Sequence, residues 1–250
     1  MADTMLNHRS IRKYKPDAVE PDILHSILNA AMRASNTGNM QAYSIIVTRD
    51  PDIRHQLWEA HFKQEMVLEA PVHLTFCADF NRFSKWCMLR NADPGYDNFL
   101  SFLTGAIDAL LASQNAALAA EEEGLGICYL GTATWMAARM IEILKLPRLV
   151  VPVIAIVMGY PDETPPLMDR LPLTGVVHKE VYRDYDETSI NAVYQDKESL
   201  QETLDLLKLN GKQTLAQIFT DNRYTRRDNR FFSRAFLEVL EKQGFMVNQD

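Results

Sequence analysis

Strand-like and helix-like segments alternate over residues 1–160, and this alternation predicts an α/β layer fold in which helices pack on a β-sheet. The strand-like segments are short β-branched or apolar runs, whereas the helix-like segments repeat apolar residues every three to four positions. Hydrophobic residues make up 47% of the 250-residue chain, so a core of ordinary size can form. Residues 161–250 are expected to form an extension that packs on this core or on a partner, within one structural domain.

The first half of the core is predicted to hold two helices and two strands in alternation. Pro21 and Pro51 suit the first turns of the two helices, where the backbone donor that proline lacks would be unused. Ile23, Ile27 and Ala31 fall on one face of the first helix. In chain order, the predicted elements are a helix at residues 22–33, a strand at 43–48, a helix at 52–62 and a strand at 72–78.

The strongest helical pattern of the chain lies at residues 99–123. Alanine and leucine, which have high helix propensity, dominate this stretch, and Gly124 suits its C-terminal end. So much alanine permits the close approach of another backbone. We therefore expect a central, buried helix, followed by a short strand at residues 126–130.

The core is predicted to end with one more helix and one more strand. Thr134 is expected to cap a helix over residues 134–145. The apolar run at 150–158 predicts the last strand, in which Pro152 marks an edge or a bulge and the regular part begins at Val153.

The composition changes after Gly159. Residues 160–178 contain four prolines and few periodic apolar residues, which predicts an extended crossing segment. From about residue 186 the sequence is polar and acidic, then rich in arginine, and its helical patterning is weaker.

Charge, cysteine content and hydropathy exclude several classes of protein. The net charge of −7 argues against nucleic acid as a partner. Three widely spaced cysteines without neighbouring histidines indicate neither a disulfide framework nor a metal site, and Cys77 and Cys128 are expected in the core. No run approaches the roughly 20 apolar residues of a membrane span, and the N-terminus lacks a signal pattern, so a cytoplasmic location without membrane contact is expected.

The motifs of the common nucleotide-binding folds are missing from the sequence. There is no GxGxxG after the first strand and no GxxxxGK[ST] anywhere. A Ser/His/Asp order, an HExxH pattern and a glycosidase carboxylate pair are not evident either. Several ligand-holding loops without such acid–base groups are typical of an enzyme whose cofactor supplies the reaction chemistry.

Residues 8–13, His-Arg-Ser-Ile-Arg-Lys, form a basic segment ahead of the first helix. In an extended chain Arg9 and Arg12 can reach different groups. One of these groups could be a phosphate, since a guanidinium pairs with two phosphate oxygens at once. The alternative is a solvated basic N-terminus, which physical arguments alone favour.

Two glycine-containing loops offer further binding positions. Residues 35–41 carry many donors and acceptors, although a plain helix-to-strand connection explains them equally well. Residues 124–132 place glycines around the short strand, so that a flat ligand could approach the backbone. A helix end followed by a bulged strand is the alternative for this second loop.

Arginines also mark the extension. Arg170 lies in an Arg-Leu-Pro motif, and five arginines crowd into residues 223–234. In an acidic protein such a cluster could bind a polyanion such as NADPH. The alternative is a helix face on which arginines pair with Asp221 and Asp228.

Seven motifs occur along the chain in a specific combination and order. They are HRSIRKY at residues 8–14, SNTGNMQ at 35–41, FCADFNR at 76–82, EEEGLGICYLG at 121–131, LKLP at 144–147, VMGYP at 157–161 and DRLP at 169–172. In this order they resemble the nitroreductase family, especially its oxygen-insensitive NADPH nitroreductases and NADPH–flavin oxidoreductases. The resemblance covers nearly the whole chain and thins beyond about residue 186.

The resemblance implies an α+β fold with a central mixed, mainly antiparallel sheet flanked by helices. Residues 1–160 would form the FMN-binding core of a homodimer, and the C-terminal extension would embrace the partner subunit. The implied activity is hydride transfer from NADPH, or less favourably NADH, to tightly bound, non-covalent FMN. Nitroaromatics, quinones or free flavin would then be reduced by a ping-pong mechanism.

Three other functions remain open at this stage. A family member could use reduced flavin for another reaction, the chain could bind flavin without turnover, or it could be a phosphate-binding regulatory protein.

The resemblance also assigns roles to the basic segment. His8, Arg9 and Ser10 would hold the FMN phosphate together with Arg170. Arg12 would lie near the pyrimidine edge of the flavin and act as the catalytic residue, because its charge would stabilise the negative charge of the reduced ring.

The remaining FMN contacts would come from loops and from the short strand, some of them in the neighbouring subunit: Asn39, Gln41, Gln64, Tyr129, Leu130 and Gly131. Arg226 is the candidate for NADPH. Close relatives often carry lysine where this chain has Met168, so phosphate binding would depend more on the arginines. The loop at 83–98 matches the family less closely.

Overall fold

A computed structural model describes residues 2–247, and the chain divides into two units. The core unit comprises the residues up to Pro166 and those from Ser233 onward, and the second unit is Leu167–Phe232. The prediction of one structural domain with a boundary near residue 160 stays a prediction.

Four strands form the sheet of the core unit in the order β1-β2-β4-β3, and all neighbours are antiparallel. The strands are β1 (Tyr43–Thr48), β2 (Val72–Asp79), β3 (Gly126–Leu130) and β4 (Val150–Gly159). Among the described residues, parallel pairing is confined to the bridge between Ser10 and Ile127. The α+β class is therefore confirmed, and the four predicted strands lie where the sequence places them.

Helices surround the sheet and continue through the second unit. They are α1 (Ala2–Leu6), α2 (Pro21–Met32), α3 (Pro51–Ala60), α4 (Met66–Glu69), α5 (Asn81–Met88), α6 (Phe99–Glu122), α7 (Thr132–Trp135), α8 (Ala137–Leu144), α9 (Glu187–Ser199), α10 (Gln201–Asn210), α11 (Leu215–Gln217) and α12 (Arg226–Lys242). Within the part of the chain that the structure describes, no helix is long and apolar enough to cross a membrane.

Both faces of the sheet are buried, so the core unit has three layers. Leu74 and Ile156 point into the larger apolar cluster, with residues of α2 and α6. The residues next to them in each strand point to the other face of the sheet. These residues, such as Val157, join a second apolar cluster with residues of α3, α4, α7 and α8. Burying one such aliphatic side chain stabilises the fold by about 1.5–3 kcal/mol.

Helix α6 approaches the sheet closely at Gly105. A Cβ atom there would lie 2.7 Å from the carbonyl oxygen of Ala42 and 3.1 Å from the Cβ of Ala78. The expected close approach is thus confirmed, as is the helix end at Gly124, whose φ is +78°. The expectation of a buried helix is correct for one face only, because leucines and Ile107 on the other face are exposed.

The pairing of β4 contains the expected irregularity at its proline. Phe76 pairs with Ile154 and Cys77 with Pro152, so Val153 is an extra residue on β4. The bulge places the proline where it disturbs the ladder least. Pro152 therefore marks a bulge, and β4 is a central strand.

Two local predictions are wrong. Thr134 does not cap a helix: it lies inside α7, and its hydroxyl donates to the carbonyl oxygen of Gly131 at 3.1 Å. A break at Met136 separates α7 from α8. The first residues of the predicted loop at 83–98 belong to α5, whose polar and apolar residues alternate at helical spacing.

The second unit begins with the predicted extended segment. In the described residues before α9, this segment contains a single helical turn, a 3₁₀ turn at Leu173–Gly175. The carboxylate of Asp186 then caps α9 by accepting from the backbone N–H of Ser189 at 2.8 Å.

Candidate active site

The basic segment is extended and held along β3. The N–H of Ile11 donates to the carbonyl oxygen of Ile127 at 2.8 Å, and the N–H of Lys15 donates to that of Tyr160 at 2.9 Å. Gly126 makes the contact possible, since a Cβ there would lie 2.6 Å from the Ile11 side chain. Hydrogen bonds to β3 and to Tyr160, directly after β4, therefore hold the backbone of the segment in place.

Two carboxylates fix the backbone of the same segment. Glu163 Oε1 accepts from the N–H of Arg12 at 2.6 Å and from that of Lys13 at 3.1 Å. Glu69 Oε2 accepts from the N–H of Tyr14 at 3.4 Å. Backbone hydrogen bonds to charged acceptors are strong. They anchor the chain while the side chain of Arg12 stays exposed.

Tyr14 lies on the buried side of the segment. Its hydroxyl donates to the carbonyl oxygen of Ile11 at 2.6 Å. Burial raises the pKa of the Tyr14 phenol far above its ordinary value, so this hydrogen bond persists at every pH at which proteins fold.

His8 and Arg9 lie at the start of the segment, beside the last turn of α6. His8 Nδ1 is 2.6 Å from Glu121 Oε1, which orients the imidazole. Arg9 donates from one guanidinium nitrogen to the carbonyl oxygen of Asn7 at 2.9 Å. Its Nε is buried and has no hydrogen-bond partner among residues 2–247. A buried donor left unpaired costs about 1–3 kcal/mol, which an acceptor oxygen from a ligand would recover.

The end of β3 is open on one side. Gly131 is exposed, and nothing lies within 4 Å of the Cβ position that it leaves free. The Tyr129 hydroxyl is 3.3 Å from Ser113 Oγ and 3.4 Å from Gln114 Oε1, and burial raises the pKa of this phenol. Leu130 is buried beneath. The basic segment thus pairs with β3 at Ile127, and residues 129–131 lie at the end of the same strand.

Gln64 connects to the same strand end. Its side-chain amide donates to the carbonyl oxygen of His61 at 3.0 Å, and His61 Nδ1 is 2.6 Å from Thr132 Oγ1. Thr132 follows Gly131, so Gln64 is linked through His61 to the end of β3, and its contact with FMN stays a prediction.

Asn39 and Gln41 lie elsewhere. They precede β1, at the sheet edge opposite to β3, and three strand spacings correspond to about 14 Å. The Gln41 amide donates to Asn39 Oδ1 at 3.3 Å, and both residues have positive φ angles, +53° and +57°. Such conformations of non-glycine residues cost about 1–3 kcal/mol and cluster at functional loops. Within one chain these two residues do not join the basic segment.

Asp108, which lies outside every sequence motif, organises that loop. Its buried carboxylate accepts from the N–H of Thr37 at 2.9 Å and from that of Ala42 at 3.1 Å. It thereby ties both ends of the loop to α6. The available signal is that Asp108 is the first charged residue in α6, thirteen positions before Glu121.

Glu163 and Glu121 are also missed by motif reasoning. Each binds a residue of the basic segment more than 100 positions away in the sequence. Such pairs carry no local sequence signal.

Arg170 belongs to the second unit. Its guanidinium donates to the carbonyl oxygens of Met168 and Asp169, at 3.3 and 2.9 Å. It lines a cavity of about 710 Å³ within that unit, beside the ion pair of Asp169 with Lys197. Its assignment to the FMN phosphate stays a prediction.

Arg226 is exposed at the first position of α12, and its contact with NADPH stays a prediction. The alternative prediction is that arginines of this cluster pair with Asp221 and Asp228, and only Asp228 has an arginine partner among the described residues. Asp228 pairs with Arg227 at 3.1 Å, whereas Asp221 pairs with Lys212 at 2.8 Å.

Cys77 and Cys128 are free and buried, as the sequence predicts, and Cys87 is buried as well. Burial raises the pKa of the Cys77 and Cys128 thiols, so neither is a thiolate at neutral pH.

Comparison with known proteins agrees with this architecture. The Nitroreductase family pattern matches residues 5–160. Over 249 residues the chain is 33% identical to "FMN reductase [NAD(P)H]" of Bacillus subtilis, and 98% of each chain is covered. It is also 33% identical to "Oxygen-insensitive NADPH nitroreductase" of Salmonella typhimurium, with 97% of each chain covered.

A crystal structure of a Bacteroides fragilis protein has the same fold. The two chains share 52% sequence identity with a TM-score of 0.96, over 98% of this chain and 99% of the other. The sequence motifs, the sheet and these similarities lead to one conclusion. The chain belongs to the nitroreductase family.

Proposed function

We propose that this protein is an FMN-dependent NAD(P)H oxidoreductase whose flavin site lies along β3. The observation that carries the proposal is the unpaired, buried Nε of Arg9 in the segment that pairs with β3, together with the open backbone at Gly131 directly after the same strand. A phosphate oxygen fits the first, and a flat ring system fits the second. The two relatives named above are an FMN reductase and an NADPH nitroreductase, which supports the same activity.

His8, Arg9 and Ser10 hold the FMN phosphate in this proposal, with Arg170 as a further candidate. Arg9 supplies a donor that has no other partner in the described chain, and Glu121 keeps the His8 ring in a fixed orientation. Tyr129, Leu130, Gly131 and Gln64 lie along the ring system. The net charge of −7 makes this local concentration of cationic groups the natural location for an anion.

Arg12 stabilises negative charge on the reduced cofactor. Bound FMN supplies the capacity to accept a hydride from the pyridine nucleotide and to release it to an oxidised acceptor. The Arg12 guanidinium is exposed, while its backbone is fixed by Glu163. A cation on a fixed backbone needs little rearrangement when charge develops, which suits electrostatic catalysis. No side chain has to act as a nucleophile.

NADPH is the preferred donor in this proposal, and nitroaromatics, quinones or free flavin are the acceptors in a ping-pong sequence. The arginines of residues 223–234, with Arg226 first, are candidates for the nucleotide phosphate. A cytoplasmic location remains an expectation.

We also propose that the protein works as a homodimer. Exposed apolar residues follow one face of α6: Leu100, Leu103, Ile107, Leu110 and Leu111. A continuous apolar stripe of this length on a protein surface marks an interaction site. A second copy as the partner would also explain Asn39 and Gln41, which could then reach the flavin of the other subunit.

The decisive experiment is an absorption spectrum of the purified, FMN-supplemented protein, followed by anaerobic addition of NADPH or NADH. We expect a flavin spectrum that NADPH bleaches and that a nitroaromatic or a quinone restores. Stable colour without bleaching would favour a flavin-binding module or another flavin-dependent reaction. Colourless protein without affinity for FMN would contradict the proposal.

The phosphate contact has its own test. Arg9→Ala should weaken binding of FMN but leave the weaker binding of riboflavin, which has no phosphate, nearly unchanged. Arg90→Ala, at an exposed arginine after α5, is the matched control. Equal losses for both ligands would mean that Arg9 does not meet the phosphate.

A further inference from the structure

Two histidines form a buried hydrogen-bonded chain on the face of the sheet opposite to α6. His61 Nδ1 is 2.6 Å from Thr132 Oγ1, and the Nε2 atoms of His61 and His73 are 3.2 Å apart. His73 Nδ1 is 3.4 Å from Thr75 Oγ1. The chain therefore runs from Thr132 through both imidazoles to Thr75 on β2, and every ring nitrogen has a partner.

Both imidazoles are fully buried among aliphatic side chains such as Leu57 and Leu130. Burial lowers the pKa of His61 to about 4 and that of His73 well below its ordinary value, with the His61 ring and the charge of Arg54 adding to the second effect. Both rings are therefore neutral at neutral pH. A neutral imidazole carries one N–H donor and one acceptor nitrogen.

Only two arrangements of hydrogens satisfy this chain. In the first, the Thr132 hydroxyl donates to His61, His61 donates from Nε2 to His73, and His73 donates from Nδ1 to Thr75. In the second, the Thr75 hydroxyl donates to His73, His73 donates from Nε2 to His61, and His61 donates from Nδ1 to Thr132. Each ring keeps one N–H and each hydroxyl keeps its hydrogen, so the rings change tautomer, the hydroxyls rotate, and the number of protons is unchanged.

The outer end of the chain lies at the candidate flavin site. Thr132 directly follows Gly131 and is the first residue of α7. In the first arrangement its hydroxyl hydrogen is used by His61, so its oxygen offers only lone pairs to another group. In the second arrangement it accepts from His61, and its hydroxyl hydrogen is free to donate.

We propose that the chain Thr132–His61–His73–Thr75 positions the Thr132 hydroxyl for the flavin and reverses its direction when the flavin changes redox state. Oxidised isoalloxazine has ring nitrogens that accept hydrogen bonds, and reduction converts such nitrogens into N–H donors. Thr132 donates to the oxidised ring through the second arrangement and accepts from the reduced ring through the first. His61 and His73 are positioning residues, and the inference rests on the proposed function.

The test is nuclear magnetic resonance of the holoenzyme with ¹⁵N-labelled histidine, before and after anaerobic reduction by dithionite. Protonated and unprotonated ring nitrogens have well-separated shifts, so the tautomer of each ring is observed directly. We expect both buried rings to exchange tautomer on reduction. The exposed ring of His55, on α3, is the internal control and should not change.

Thr132→Val removes the hydroxyl but preserves the shape of the side chain, and we expect it to abolish the tautomer change. Thr132→Ser should retain it. The flavin midpoint potential should shift in Thr132→Val and stay close to that of the unmodified protein in Thr132→Ser.

The failures of the two proposals are distinguishable. A yellow, reducible protein whose buried histidines keep the same tautomers overturns the proposed reversal alone, as does an unchanged response in Thr132→Val. A protein that does not bind FMN overturns the proposed function, and this inference with it.

Discussion

At the scale of single residues, Arg12 and Glu163 oppose one another at the candidate flavin site. Glu163 fixes the backbone of Arg12 by accepting its N–H at 2.6 Å, and its carboxylate carries the opposite charge to the Arg12 guanidinium. Reduced flavin gains negative charge, so the cation favours reduction and the carboxylate disfavours it. In the proposed site, the two residues are therefore expected to shift the flavin reduction potential in opposite directions.

We expect Arg12→Ala to lower the two-electron potential of bound FMN. The loss of one exposed charge about 4 Å away corresponds to about 1 kcal/mol or more, which is about 20 mV for two electrons. Glu163→Gln should shift the potential in the opposite direction. Dye-coupled redox titration measures both, and Arg12→Lys is the control that keeps the charge. Equal potentials in Arg12→Ala and the parent would exclude the role of Arg12.

The buried histidines predict a loss of stability in acid. Their folded-state pKa values lie below the ordinary 6.5, so the unfolded chain binds protons that the folded chain does not. The free energy of unfolding should therefore fall as the pH drops from about 6.5 towards 4, by about 1.4 kcal/mol per pH unit for each histidine. Urea unfolding at pH 5 and pH 7 measures this at fixed protein concentration.

The double variant His61→Asn/His73→Phe should lose most of this pH dependence, whereas His55→Gln, at an exposed position, should keep it. An unchanged slope in the double variant would mean that other groups cause the acid sensitivity.

The predicted site residues that the structure brings near one another belong to motifs whose members are close in sequence. His8–Arg12 and Tyr129–Gly131 fall within short motifs, and the bridge from Ser10 to Ile127 brings them together. Motif reasoning did not find Glu163 or the pair of His61 and His73. Their partners are fixed by strand register and helix packing, which a single sequence does not display.

At the scale of elements, α6 holds the loop before β1 in place through the carboxylate of Asp108. Asp108 is buried in the middle of an alanine-rich helix and accepts from backbone donors at both ends of the loop. Gly38, Asn39 and Gln41 in this loop have positive φ angles, so the loop needs an external constraint. Asp108 provides it.

We expect Asp108→Asn to destabilise the loop, because the amide turns a donor towards one of the backbone N–H groups. A buried donor left without an acceptor costs about 1–3 kcal/mol. Urea unfolding should show this loss, and FMN titration should show weaker binding. Asp93→Asn, the same change at an exposed position, should do neither. Unaltered binding in Asp108→Asn would separate the loop from the flavin site.

Hydrophobic periodicity predicted the four strands and the longer core helices, because each buries one or two faces, but it missed the short helices α1, α4 and α5. Strand direction was not accessible in this way, since periodicity is the same in parallel and antiparallel sheets. The cap at Thr134 failed for a related reason. A threonine before an apolar run suits several roles, and here its hydroxyl bonds backwards to Gly131.

At the scale of the whole molecule, the exposed stripe on α6 determines the expected assembly. Its residues are 41–70% exposed although they are leucines and an isoleucine. The opposite face of the same helix packs on the sheet. A helix that is apolar on both faces needs two partners, and the second is expected to be another copy of the chain.

We therefore expect Ile107→Glu to shift the protein from dimer to monomer, because a carboxylate in an apolar interface would be desolvated without a partner. Light scattering after size-exclusion chromatography measures the mass, and FMN titration should show a parallel loss of affinity. Leu89→Glu, at an exposed leucine after α5, is the control. A dimer that persists in Ile107→Glu would remove α6 from the interface.

The attachment of the basic segment to distant residues has a consequence for biosynthesis. Its backbone is held by Ile127, Tyr160 and Glu163, so the segment can take its final form only after residues more than 100 positions later in the chain have been made. A nascent chain that ends before residue 160 cannot arrange His8, Arg9 and Arg12 as the finished protein does. The proposed FMN site is therefore expected to assemble only after synthesis has passed Glu163.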